Sequence, residues 1–92
     1  MAILATTHIP GGNAEQAAEW NDRLSKVLSA SPGFIVQVDT PAPDGGWQIL
    51  SVWESESDLQ RFFESAVKPY LPPEAPMAQS IAQVHQVITP QP

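Results

Sequence analysis

Ten prolines set the limits on what this chain can fold into. Proline lacks a backbone N–H and its ring clashes with the preceding turn, so helix interiors and central strands exclude it. The prolines stand at Pro10, Pro32, Pro41, Pro43, Pro69, Pro72, Pro73, Pro76, Pro90 and Pro92. The segments between them must carry the regular structure. Ala2 to Ile9 is β-branched and apolar, a strand. Asn13 to Ala30 carries Ala17, Trp20, Leu24, Val27 and Leu28 on one stripe, which predicts a helix. Asn13 caps it, and Gln16 three residues on completes a capping-box pattern. Gly33 to Thr40 is a strand with Phe34, Val36 and Val38 alternating against Gln37 and Asp39. The stretch PAPDGG is a turn, and Trp47 to Glu54 a third strand. Ser55 caps a second helix with Asp58 at the third position, bearing Leu59, Phe62, Phe63, Ala66, Val67 and Tyr70 on one face. A loop over Lys68 to Met77 is too proline-rich to be regular and raises the question of a lid. Ser80 to Thr89 is a last strand, and residues 89–92 are a loose tail.

The element order is therefore β-α-β-β-α-β in one domain spanning 1–92. Right-handed crossovers bring the strands into spatial order 4-1-3-2, an α+β, ferredoxin-like antiparallel sheet with both helices on one face. An antiparallel sheet with one wet face should alternate cleanly. Here it does not: Trp47, Ile49 and Trp53 point one way, and Leu50 and Val52 the other. Ile3, Ala5 and Ile9 oppose Leu4 in the same manner. Both faces need cover, and the helices supply it to one. The expectation is a homodimer packed sheet to sheet, burying roughly 800 Å² or more per partner.

Composition removes several functions. There is no cysteine, hence no disulfide, thiolate metal site or cysteine nucleophile. That fits a reducing compartment, and a cytoplasmic location is expected. The first residues, MAILATTHIP, do not read as a signal peptide, and no apolar run approaches the ~20 residues that span a bilayer. Net charge is −6, with Arg23, Lys26, Arg61 and Lys68 as the fixed cations. A phosphate backbone needs a basic face, so nucleic acid is not an expected partner.

Pro32-Gly33-Phe34, then strand, turn and strand, then Val52-Trp53-Glu54-Ser55-Glu56 resemble the antibiotic biosynthesis monooxygenase (ABM) domains. The resemblance covers nearly the whole chain in order of elements. It implies a dimeric α+β barrel and a pocket between the helices and the sheet. Members similar to this chain include cofactor-independent oxygenases of aromatic polyketides and haem-degrading enzymes. In the anthrone-oxidising members the resemblance places an Asn four residues before the strand tryptophan and a Tyr six after it. Trp53 matches the tryptophan, whereas those two positions hold Ile49 and Leu59. The Trp and His of haem-degrading members fall on Phe62 and Pro72, and their first-strand Asn on Thr6 or Thr7, which disfavours haem.

Trp53 reads as core at a strand end, its indole N–H needing one partner. The alternative to that preferred reading is a pocket wall, with Trp20, Trp47, Phe63 and Tyr70 lining a substrate-binding site for a flat ligand. His8 and His85 are the histidines. Pairing the first and last strands end to end puts them on the order of 13 Å apart, too far to share a metal ion that needs both within about 2.1 Å. His85, taken as mid-strand, is the candidate catalytic base. Glu54, Glu56 and Asp58 crowd the second helix's N-terminus, a structural place for negative charge. No flavin or metal motif is present, so no cofactor is expected.

Two functions fit these residues. One is a cofactor-independent monooxygenase acting on an electron-rich aromatic, with His85 as base and Trp47 and Trp53 as stacking walls. The other is a binder, or a cyclase- or isomerase-like protein, using the same pocket without oxidation.

Overall fold

Strand β1 (Ile3–Ile9) lies inside a four-stranded sheet, between β3 (Trp47–Trp53) and β4 (Ala78–Gln83). Strand β2 (Phe34–Pro41) forms the far edge, giving the order β2-β3-β1-β4 with every pair antiparallel. Helix α1 (Ala14–Ser29) links β1 to β2, and α2 (Glu56–Phe62) follows β3. The computed structural model describes residues 2–43, 45–70, 78–88 and 90, with Tyr70 and Ala78 as backbone alone. The sequence-based order and topology hold.

Both helix starts form as their sequences dictate. Asn13 Oδ1 accepts the Gln16 N–H at 2.9 Å, and Ser55 Oγ accepts the Asp58 N–H at 3.2 Å while donating to Asp58 Oδ2 at 2.8 Å. Each satisfies a donor that the first helical turn leaves open. Helix α2 does not continue regularly to Tyr70. Its next turn, Phe63–Val67, is π-helical, with the Lys68 N–H reaching back to Phe63 O, and Lys68–Tyr70 is a 3₁₀ turn. Pro69, which has no N–H to give, stands in that last turn.

Two further differences have physical causes. Strand β4 ends at Gln83 rather than running to Thr89, because β1 begins at Ile3, opposite Gln83. After one more bond, Val84 N–H to Ala2 O at 2.8 Å, no strand among the described residues is left for the chain to pair with. The second difference is a bulge. Phe34 pairs with Trp53 but Val36 pairs with Val52, so Ile35 is an extra residue in β2. Beyond it every side chain changes face. Phe34 remains under the helices, while Gln37 and Asp39 now face them and Val36 and Val38 face away, 47% and 57% exposed.

The core gathers at one end of the helix-covered face: Ile3, Ala5, Leu28, Trp53 and Leu59, with Phe34 and Phe62 packed against them. Val27, expected on the buried stripe of α1, is exposed. Gly33 docks this end to α2. Its φ of 83°, accepted without strain only by glycine, brings its carbonyl 2.7 Å from the Glu54 N–H. A Cβ there would come within 2.7 Å of Asp58 Cβ. Gly33→Ala is therefore expected to cost about 2 kcal/mol or more, read as a lower urea midpoint at unchanged slope.

Candidate functional site

Beside the core, α1 and the sheet border a half-open cavity of about 610 Å³. Its roof is one stripe of α1, Ala17, Trp20, Leu24 and Leu28, with Asn21, Ser25 and Ser29 beside it. Of the apolar four only Leu28 is fully buried, since the others look into open space instead of onto the sheet. The π-helical turn brings Phe63 and Val67 to the wall beside Phe62. A volume of this size is typical of small-molecule sites.

The floor is laid out by strand register. One row across the sheet runs Asp39, Ile49, Thr7, Gln79; the next runs Gln37, Ser51, Ala5, Ile81. Trp47 and Ile9 close one end of the floor, and Trp53 with Phe34 the other. Trp53 is 1% exposed, with Phe34 edge-on and Phe62 tilted against it, each ring centroid at 5.4 Å. Its indole N–H donates to Ser51 Oγ at 3.1 Å. Trp53 is thus core, and one of its faces is also cavity wall. The Trp47 Nε1, at the opposite end, is buried without a hydrogen-bond partner among the described residues. A buried donor left unpaired is costly.

Asp39 is the one ionisable side chain in the lining among the described residues. It is half-buried, and Asn21 Nδ2 donates to its Oδ2 at 3.0 Å. The alternation of β2 gave Asp39 to the wrong face, because the bulge at Ile35 has no signature in the sequence. Thr7, Ser51, Gln37 and Gln79 were missed for a simpler reason: each is an ordinary polar residue whose meaning comes from the register. The signal that could have found Ser51 and Thr7 is their placement among Ile3, Ala5 and Ile9, Trp47, Ile49 and Trp53 on faces otherwise apolar.

The cavity brings together four of the expected residues, Trp20, Trp47, Trp53 and Phe63. The side chain of Tyr70 lies outside the described residues, as do residues 71–77 of the loop considered as a lid. His85 is not mid-strand. It follows the end of β4, is exposed and does not line the cavity. His8 sits on the other face of the sheet in the row with Gln48, with its Nε2 3.3 Å from Gly45 O. The register opposes His8 to Ala78, so the histidines are further apart than the sequence alignment of the strands gave. No group of three or more His, Asp or Glu able to hold a metal ion occurs among the described residues.

No family model matches the chain, and no curated protein matches it by sequence. Its backbone does have relatives. A mutant form of SnoaB, a cofactor-independent oxygenase from Streptomyces nogalater, superposes with a TM-score of 0.66 over 95% of both chains at 12% identity. The monooxygenase from ActVA-Orf6 of Streptomyces coelicolor, solved in complex with the ligand nanaomycin D, superposes at 0.58 over 98% of this chain and 92% of that one, at 16% identity. This chain has an ABM-like fold. The likeness, at such identities, is of backbone: where the resemblance led to an Asn and a Tyr, Ile49 lines the cavity and Leu59 is buried in the core. No helix among the described residues is long and apolar enough to cross a membrane.

Proposed function

We propose that the cavity binds a flat aromatic small molecule and that the protein is a cofactor-independent monooxygenase of aromatic polyketide-type metabolism. The observation that carries this reading is Asp39, the one carboxylate among the described residues that line this tryptophan-walled space. A pocket made for binding alone has no need of a titratable group in its wall. An enzyme that removes a proton does. Asp39 takes the proton from an acidic ring C–H or phenol, held in place by Asn21. The resulting carbanion, delocalised onto the ring oxygen, gives one electron to O₂ and recombines with superoxide as a peroxide. Loss of the second C–H proton with O–O cleavage turns CH₂ and O₂ into C=O and H₂O. The protein contributes desolvation, orientation and the proton acceptor.

The test is oxygen uptake with product analysis on anthrones and naphthols, with and without the protein. Uptake that depends on the protein supports the reading, and none overturns it. A second reading rests on Ile49 and Leu59, carbon side chains where the oxidising relatives are expected to hydrogen-bond. On that reading the cavity binds, cyclises or isomerises its ligand. Saturable quenching of tryptophan fluorescence without oxygen uptake would favour it.

We also propose a homodimer through the uncovered sheet face. Leu4, Leu50 and Val52 lie there with Val36 and Val38, an apolar area that the bulge enlarges by turning both valines outward. Val38→Asp is expected to convert the dimer to a 10.0 kDa monomer in light scattering after gel filtration. A wild-type protein that elutes as a monomer at micromolar concentration would refute the dimer.

A further inference from the structure

The cavity floor holds two hydroxyls with an unused proton each. Ser51 is 7% exposed and Thr7 9%, and both line the cavity. Ser51 Oγ accepts from Trp53 Nε1 at 3.1 Å. An indole N–H can only donate, so the direction of that bond is fixed and the Ser51 proton is left to point elsewhere. Thr7 Oγ1 accepts from Gln79 Nε2 at 3.2 Å and keeps its own proton in the same way. Neither hydroxyl donates to a protein acceptor among the described residues. A hydroxyl whose oxygen accepts one bond still has a proton to give. Here each has been strengthened as a donor by the N–H bonded to its oxygen, since successive hydrogen bonds polarise one another.

The two hydroxyls also stand together. Ser51 pairs with Ala5 and Thr7 with Ile49, so they are diagonal neighbours on adjacent strands and the same face. Such neighbours are about 7–8 Å apart at Cα and closer at Cβ. One acceptor oxygen with two lone pairs can lie between them.

We propose that Ser51 and Thr7 form a donor cradle for an acceptor-only oxygen on the ring edge of the ligand, a carbonyl or a phenolate. The proposal rests on the ligand-binding reading above and narrows it: the ligand is an oxygen-bearing aromatic, not a hydrocarbon. The cradle fixes which edge enters the floor, and Asp39 lies in the row that contains Thr7, two strands away. The oxygen is thereby held beside the donors while the opposite edge of the ring system extends toward the carboxylate.

The test uses a matched pair, 9-fluorenone and fluorene, which differ by the carbonyl, with binding read by tryptophan quenching. Wild type should bind the ketone about tenfold more tightly. Ser51→Ala and Thr7→Val should each remove much of that preference by weakening fluorenone about three- to tenfold, with fluorene unchanged. Ser51→Thr, which keeps the hydroxyl, should retain it. Because Ser51→Ala also strips the Trp53 N–H of its acceptor, Thr7→Val serves as the variant that leaves that bond intact. Equal affinity of the two compounds for wild type, or a preference that survives both substitutions, overturns the cradle and leaves the cavity standing. Failure of both compounds to bind overturns the ligand-binding reading and the cradle with it.

Discussion

Asp39→Asn is expected to lower protein-dependent oxygen uptake on an anthrone by about 10²- to 10⁴-fold, the usual span for a removed proton acceptor. The amide has the shape of the carboxylate and still meets Asn21, so affinity for a non-reacting analogue should change little. Steady-state uptake and fluorescence quenching on the same preparation separate the two effects. His85→Ala, made alongside, should leave uptake near wild type, because His85 is exposed beyond β4 and away from the cavity lining. The opposite pattern, full uptake in Asp39→Asn and none in His85→Ala, would return the role of base to the histidine. Equal and large losses in both would point to a shared structural effect, which a urea titration of each variant would expose.

The contrast between these two residues illustrates what a sequence of this kind discloses. His85 is conspicuous as one of two histidines, and its placement mid-strand follows from reading Ser80 to Thr89 as one strand. An uninterrupted stretch between prolines does not by itself make a strand. The stretch also needs a neighbour with free backbone groups, and β1 has run out by Ile3. Asp39 failed in the reverse sense. Its strand was found, but a residue's face depends on every step of pairing between it and the nearest fixed point. Ile35, a residue well suited to a regular strand, is the one left over when β2 meets β3. By contrast, elements whose signals are local were legible. The caps Asn13 and Ser55 and the apolar faces of β1 and β3 are each set within a few residues. The aromatic wall followed from those faces. The polar floor did not, since Thr7, Ser51 and Gln79 take their meaning from neighbours distant in the chain.

Trp53→Ala is expected to cost about 3–5 kcal/mol, the range for a fully buried tryptophan truncated to a methyl group. A domain of this size has about 5–15 kcal/mol in total, so the variant should melt early or fail to accumulate folded. The reasoning starts from position. Trp53 pairs with both Ile3 and Phe34, making it the point where β1, β2 and β3 meet beneath α2. Phe34 and Phe62 lose their ring contacts together, and Ser51 loses the N–H that orients its hydroxyl. Trp53→Phe isolates the last of these. It preserves most of the buried area but removes the indole N–H, so it should cost about 1–2 kcal/mol from a smaller void and one lost hydrogen bond. With the N–H gone, the Ser51 oxygen is free to rotate, and the fluorenone preference should fall while fluorene still binds. Urea midpoints measured beside those two affinities tell core from site. A Trp53→Ala protein with wild-type stability but no ligand binding would make the tryptophan a binding residue only. Loss of stability, together with the graded effect of phenylalanine, assigns it to the core whose exposed edge the cavity uses as a wall.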